Sequence, residues 1–181
     1  MGTRSTAVLL SGGVDSAVTM AFLQRAGWNV EAVFIDFGQP PAEHERAASR
    51  QVAERLGAPW EALTVGGLDV VPFVAMPGRN DLLIALAAAA KPTSHLAVGV
   101  HAGTGYIDCS VPYVGAWRSL YDLEYGGERQ FLAPLVEFNK ADVLRLAVEF
   151  ELPLELTWSC EAANGPCGTC PSCRDRSPDG A

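Results

Sequence analysis

The segment Leu10–Ser16, which reads LSGGVDS, constrains the fold of this chain more than any other stretch. It follows the apolar, strand-like run 6–10 and opens a helix-like run, so it marks a strand–turn–helix junction. Its glycine backbone can approach an anion closely, because glycine has no side chain and tolerates positive φ. The dipole of the following helix favours negative charge at the same place. The segment is therefore predicted to bind phosphate.

The predicted phosphate site belongs to neither of two common classes. It lacks the lysine of a Walker loop and does not match the spacing G-x-G-x-x-G, which argues against a kinase-type or dinucleotide site. The alternative interpretation is an ordinary glycine-rich turn in which Asp15 and Ser16 cap a helix.

Strand-like and helix-like segments alternate along the chain, which is typical of an α/β fold with a parallel sheet and helices on both faces. We expect strands at 6–10, 30–36, 60–65 and 95–100. We expect helices over Val14–Arg25, from Pro41 to Gly57, over 81–91 before Pro92, and after the cap Asn139. The helix at 81–91 is so apolar that we predict burial on nearly all sides. Ligands of such sheets bind beyond the carboxyl ends of the strands, where residues 10–16, 36–39 and 100–108 would meet.

Four cysteines near the end of the chain have the spacing C-x6-C-x2-C-x2-C: Cys160, Cys167, Cys170 and Cys173. Four thiolates in a tight knuckle fit tetrahedral zinc, and such a zinc would be structural because protein fills every coordination position. Two disulfides or a redox pair are the alternatives. Disulfides are typical of secreted domains, whereas this sequence shows no signal-peptide pattern, so we expect a cytoplasmic protein.

Length and charge limit the classes of function. With 181 residues, of which 49% are hydrophobic, the chain suits one main domain over 1–157 that contains the predicted phosphate loop, a four-cysteine knuckle over 158–176 and a disordered tail at 177–181. The net charge of -8 argues against stable nucleic-acid binding, which normally needs a basic face. The longest apolar run, 81–90, is shorter than the roughly 20 residues of a membrane span.

Together with Met76–Asn80, the phosphate loop and the cysteine knuckle resemble the 7-cyano-7-deazaguanine synthases of the pyrophosphate-loop ATP-pyrophosphatase superfamily. Further matching segments are 34–39, 106–109, 134–135, 139–142 and the knuckle ending in Arg174. The resemblance implies a Rossmann-like, adenine-nucleotide α-hydrolase-like fold and a role in queuosine biosynthesis. In that family 7-carboxy-7-deazaguanine is adenylated, ammonia gives the amide, and a second ATP drives dehydration to the nitrile.

The resemblance also assigns residues. It implies ATP binding by eight positions: Leu10, Ser11, Gly12, Gly13, Val14, Asp15, Ser16 and Asp36. It implies catalytic roles for Asp15, Ser16 and Lys140, with magnesium and ATP as cofactors beside the structural zinc. It implies substrate binding by Arg79, Asn80 and Asp108. The Asp108 carboxylate would accept hydrogen bonds from the guanidine-like edge of a deazaguanine.

Each of these side chains also has a simpler interpretation. Asp36 fits a turn cap, Asn80 fits the N-cap of the apolar helix, and Lys140 fits a solvated first-turn lysine. His101 is either a general base or a local hydrogen-bond partner, and Cys109 is interpreted as an ordinary buried thiol. His44 and His95 form no recognisable constellation in the sequence.

The sequence departs from the family on the acceptor side. Only Tyr106, Asp108 and Cys109 match the family pattern around 101–109, and the segment from Val65 to Met76 is short. The chain is therefore a shortened synthase or a paralogue that transfers the activated carboxylate to another amine, such as a protein amino terminus, and stops at the amide. A non-catalytic nucleotide-binding module and a tRNA thiolase-like enzyme are the alternative functions, and a homodimer is the candidate assembly.

Overall fold

The computed structural model describes residues 4–71, 76–91 and 95–174, and its centre is a five-stranded parallel sheet. The strands are β1 (Ser5–Leu9), β2 (Asn29–Asp36), β3 (Trp60–Thr64), β4 (His95–Val98) and β5 (Gln130–Leu132). The helices are α1 (Val14–Arg25), α2 (Ala42–Arg55), α3 (Arg79–Ala90), α4 (Val111–Tyr125), α5 (Lys140–Glu149) and α6 (Pro171–Arg174). Short 3₁₀ turns cover Ile107–Cys109 and Leu154–Leu156.

The strand order β3-β2-β1-β4-β5 reverses between β1 and β4. Leu9, at the end of β1, pairs with Val33 on one side and with Val98 on the other. A reversal of this kind opens a crevice at the carboxyl edge, which is where ligands of such sheets bind. The phosphate loop follows β1 directly and therefore lies at this crevice.

Helices cover both faces of the sheet, as the sequence predicts. Along β1, Ala7 packs with residues of α3 and α4, whereas Val8 packs with residues of α1 and α2. This alternation follows from the two-residue repeat of a strand. A third cluster, which includes Val18 and Val143, packs α1 against α5.

Two expectations for the apolar helix are wrong. It begins at Arg79, with Gly78 as its N-cap at φ +71°, so Asn80 lies in the first turn and does not cap the helix. Only Ile84 and Ala87 in this helix are buried, because α3 packs against the sheet with one side. A run of leucine and alanine therefore does not require burial all round, since alanine exposes little apolar area wherever it points.

Other boundaries agree closely with the sequence. Strand ends differ by one residue at β1, β2 and β3, and β4 is two residues shorter than expected. Helix α5 begins behind Asn139, whose side chain accepts from the Asp142 amide in a reciprocal capping box. Pro92 and the tail 177–181 lie outside the described residues. In the described part of the chain, no helix has both the length and the hydropathy needed to cross a membrane.

Helix α4 and strand β5 were not expected from the sequence. Local signals for α4 are present, since the Ser110 hydroxyl caps it by accepting from the Tyr113 amide and Gly126 ends it in the left-handed conformation. Strand β5 has only three residues, which is too short for a periodic pattern.

Candidate functional site

The phosphate loop is held by hydrogen bonds between its own residues. The Ser16 hydroxyl donates to the Gly13 carbonyl oxygen at 2.9 Å, and it lies 3.2 Å from the Ser11 hydroxyl. The Gly13 amide donates to the Ser11 hydroxyl at 3.3 Å. No side chain caps α1, so Asp15 and Ser16 do not act as the helix cap. The first backbone amides of α1 are therefore not occupied by a capping side chain and can bind an anion.

Two glycines are required by close backbone contacts around this loop. A Cβ on Gly12, at φ +87°, would lie 2.6 Å from the Glu45 carbonyl oxygen. A Cβ on Gly99, just beyond β4, would lie 2.7 Å from the Ser16 backbone nitrogen. Gly99 was not identified from the sequence, because its role depends on the approach of β4 to α1. Both glycines let neighbouring elements close around the loop.

Asp15 connects the loop to two distant parts of the chain. Its Oδ1 accepts from Lys140 Nζ at 2.6 Å, and its Oδ2 lies 3.6 Å from His101 Nε2. His101 is buried, and its Nδ1 must donate to the Ala102 carbonyl oxygen at 2.7 Å because a carbonyl only accepts. Because Lys140 donates to Asp15, it is not the solvated first-turn lysine of the simpler interpretation. The structure brings two residues of the predicted catalytic set together at the phosphate loop.

Asp36 takes the turn-capping position at the end of β2. Its Oδ1 accepts from the Gly38 amide at 3.1 Å, and its Oδ2 accepts from Arg46 at 2.7 Å. The Arg46 hydrogen bond holds the pKa of Asp36 below its usual value, although partial burial opposes this. Its predicted contact with the nucleotide stays a prediction.

Beside Asp36 lies a buried polar group that sequence reasoning missed. Gln39 donates to Glu45 Oε2 at 2.8 Å, and its side-chain oxygen accepts from the Phe37 amide at 2.9 Å. Burial raises the pKa of Glu45. The signal was available, since Gln39 belongs to the segment 34–39 that carries part of the family resemblance.

The predicted substrate residues lie near one another at the start of α3 and the turn before α4. Arg79 Nε donates to the Asn80 side-chain oxygen at 3.4 Å, and Asn80 Nδ2 donates to the Asp108 carbonyl oxygen at 3.5 Å. Burial raises the pKa of the Cys109 thiol. Next to them Tyr106 is 60% exposed. The loop leading to these residues is thus open to solvent.

An open cleft of about 400 Å³ separates this loop from the cysteine knuckle. It is lined by Tyr106 and by four residues of the knuckle segment: Glu161, Thr169, Cys170 and Pro171. Glu161 Oε1 accepts from the Ser172 hydroxyl at 3.3 Å. The predicted substrate residues Arg79, Asn80 and Asp108 are not among the residues that line this cleft.

The four knuckle cysteines form a compact donor set. Their Sγ atoms all lie within 4.8 Å of one another, and Cys160 and Cys170 are buried. Backbone amides point at the sulfurs: those of Ala162 and Cys167 donate to Cys160 Sγ, and that of Cys170 donates to Cys167 Sγ. Amide hydrogen bonds lower the pKa of Cys167 to about 6. At Cys167 this favours the thiolate, the form that binds metal, whereas burial raises the pKa of the Cys173 thiol to about 12.

Comparison with known proteins identifies the family. The family of queuosine biosynthesis protein QueC matches residues 64–179, and the asparagine synthase family matches residues 1–97. A 7-cyano-7-deazaguanine synthase from Synechococcus sp. strain RCC307 is 37% identical over 205 aligned positions, which cover 95% of this chain and 92% of that protein. The chain belongs to the 7-cyano-7-deazaguanine synthase family. A second synthase, from Microcystis aeruginosa, is 34% identical and is covered to 90%.

Solved structures of other proteins share the fold. A U34-tRNA thiolase from Methanococcus maripaludis, described with its 4Fe–4S cluster, has a TM-score of 0.56 at 20% identity, with 84% of this chain and 59% of that chain covered. A 4-thiouridine synthetase, described in complex with RNA and bound ATP, also has a TM-score of 0.56 at 19% identity, with 90% and 46% covered. At this identity the likeness concerns the fold, which agrees with the expected pyrophosphate-loop architecture.

Proposed function

We propose that this protein uses ATP and magnesium to adenylate 7-carboxy-7-deazaguanine and then forms a carbon–nitrogen bond with ammonia. The substrate carboxylate attacks the α-phosphorus, and pyrophosphate leaves. Ammonia then attacks the acyl carbon, and AMP leaves to give the amide. In a second round the amide oxygen is adenylated, and loss of AMP and a proton gives 7-cyano-7-deazaguanine.

The observation that carries this proposal is the Asp15–Lys140 pair at the phosphate loop. The Lys140 ammonium lies 2.6 Å from a carboxylate oxygen at the start of α1, so a cation is already held where the pyrophosphate would bind. The hydroxyls of Ser11 and Ser16, with the amides that open α1, would bind the phosphates. Charge placed at the leaving group stabilises the transition state more than the bound substrate.

Magnesium would be held by Asp15, whose carboxylate is a suitable oxygen ligand at the loop. Bound there, the ion supplies positive charge to the phosphates. Lys140 would keep the carboxylate oriented through its hydrogen bond to Oδ1. Asp36 would contribute to the nucleotide site from the end of β2.

Zinc is the metal that fits the knuckle best. With Zn–S bonds of about 2.3 Å, tetrahedral geometry places sulfurs about 3.8 Å apart. Cys167 and Cys173 Sγ are 4.0 Å apart, which leaves room for one ion rather than a multi-iron cluster. Because protein supplies every ligand, this zinc would be structural.

Arg79, Asn80 and Asp108 would bind the deazaguanine carboxylate and its guanidine-like edge. A guanidinium is suited to carboxylate binding, and the Asp108 carboxylate matches adjacent N–H donors.

A second candidate function follows from the exposed loop at Tyr106 and the open cleft beside it, which would admit an amine larger than ammonia. The protein would then stop at the amide, with a protein amino terminus as one acceptor. A cytoplasmic location and a homodimer are compatible with either function.

Product analysis distinguishes these functions. The purified protein is incubated with ATP, magnesium and 7-carboxy-7-deazaguanine, with and without ammonium, and the products are identified by mass spectrometry. Nitrile together with AMP and pyrophosphate supports the synthase. Amide alone supports the paralogue, and absence of AMP in every condition contradicts both. Salt-sensitive tRNA binding would instead favour a thiolase-like enzyme.

A further inference from the structure

Trp158 joins the cysteine knuckle to the phosphate loop. Its backbone amide donates to the Gly12 carbonyl oxygen at 2.8 Å, and its own carbonyl oxygen lies 3.6 Å from the position of a Cβ on Gly13. Its indole Nε1 donates to the Cys160 carbonyl oxygen at 2.8 Å. One residue therefore contacts the loop with its backbone and the first knuckle cysteine with its side chain.

His44, on α2, holds this tryptophan from the other side. The imidazole stacks on the Trp158 indole, with ring centroids 4.2 Å apart and an interplanar angle of 13°. Its Nε2 lies 3.0 Å from the Ala163 carbonyl oxygen and must donate to it, since a carbonyl only accepts. The next residue, Glu45, packs its backbone against Gly12. His44 thus contacts the knuckle at two points while its helix contacts the loop.

We infer that His44 and Trp158 are positioning residues through which the metal-bound knuckle fixes the backbone of the phosphate loop. The three hydrophobic clusters include none of the described knuckle residues 158–174, so the order of this segment depends on the metal. Loss of that order would free the Trp158 amide from Gly12. The loop would then gain freedom at its two glycines, which have the widest backbone range of any residue. This inference rests on the proposed role of the loop in ATP binding.

The test uses the full-length zinc-loaded protein and compares His44→Ala with His44→Phe. The phenylalanine keeps the stacking surface but cannot donate to Ala163. His95→Ala is the matched control, because His95 also packs on a tryptophan, Trp28, with centroids 4.8 Å apart, but lies at the amino end of β4. Zinc content, hydrogen exchange of residues 10–16 and the affinity for a non-hydrolysable ATP analogue are measured for each.

For His44→Ala we expect unchanged zinc content, faster exchange of residues 10–16 and an ATP-analogue Kd raised about three- to tenfold, the effect of one lost hydrogen bond and its packing. His44→Phe should recover part of both effects, and His95→Ala should change neither. Removing the metal from the wild-type protein should also speed exchange of the loop. The inference would be overturned if residues 10–16 exchanged hydrogen at the wild-type rate in His44→Ala or in the metal-free protein. If the wild-type protein did not bind the analogue at all, the proposed function would fail, while the exchange data would still decide the coupling.

Discussion

The nucleotide half of the site, around the phosphate loop 10–16, and the acceptor half, around the acceptor loop 103–109, are built differently. Around the phosphate loop, Gly12 and Gly99 have no room for a methyl group, and Lys140 reaches Asp15 from another helix. In the acceptor loop, a Cβ on Gly103 would meet nothing within 4 Å, and Ile107 is 83% exposed. The first half is fixed by the packing of the sheet, whereas the second is shaped by solvent-exposed residues. We therefore expect sequence changes in the acceptor loop to leave the packing of the nucleotide half intact.

The largest expected effect is that of Gly99→Ala. The added methyl would overlap the backbone of Ser16, and overpacking of this kind costs about 2–3 kcal/mol. We expect a matching fall in the free energy of unfolding in urea and loss of ATP-analogue binding. The control is Gly115→Ala, in α4, where nothing lies within 4 Å and the helix should gain about 0.5–1 kcal/mol. Equal effects of the two variants would show that the nucleotide half is not packed more tightly than the rest.

Lys140→Met tests charge in the nucleotide half without changing the volume greatly. Removal of one group that stabilises transition-state charge typically lowers the rate at least about 100-fold, and we expect that loss in AMP formation. The matched control is Lys91→Met, because Lys91 forms ion pairs with Glu31 and Glu61 near the amino ends of the strands. Lys91→Met should lower stability and leave the rate of AMP formation unchanged. If Lys140→Met formed AMP at the wild-type rate, Lys140 would have no part in the reaction.

Ile107→Ala tests the openness of the acceptor half. Because the side chain is largely exposed, its loss should change the free energy of unfolding by no more than about 0.5 kcal/mol. ATP-analogue affinity should not change, whereas the KM for the deazaguanine carboxylate or the amine should. A variant that loses ATP binding would contradict the separation of the two halves.

The smallest effect concerns the Asp36–Arg46 ion pair. Arg46 lowers the pKa of Asp36 below 3.8, so the pair stabilises the protein above that pH, and this contribution is lost as pH falls through the lowered value. The pair is partly exposed, so its contribution at pH 7 should be only about 0.5 kcal/mol. Urea unfolding of wild type and Arg46→Ala at pH 7 and at about pH 3 measures it. A stability difference that does not shrink at the lower pH would show that packing of Arg46 against Phe34 causes all of it.

Local signals predicted most of the fold, and long-range contacts explain what they missed. The Asn139 cap and the glycine-rich turn after β1 are readable because all the residues involved are neighbours in sequence. The resemblance, and no local pattern, placed Lys140 with Asp15, since their hydrogen bond spans 125 positions. The need for glycine at 99 arises only when β4 approaches α1. For the same reason the sequence did not reveal that His44 contacts the knuckle.

We propose that this chain activates a deazaguanine carboxylate with ATP in its nucleotide half, independently of the amine. Exchange of labelled pyrophosphate into ATP, measured with magnesium and without ammonium, tests it directly because only reversible adenylation incorporates the label. We expect exchange that requires 7-carboxy-7-deazaguanine and disappears in Lys140→Met. Absence of exchange with the wild-type protein, or exchange at the same rate without the carboxylate, would contradict it.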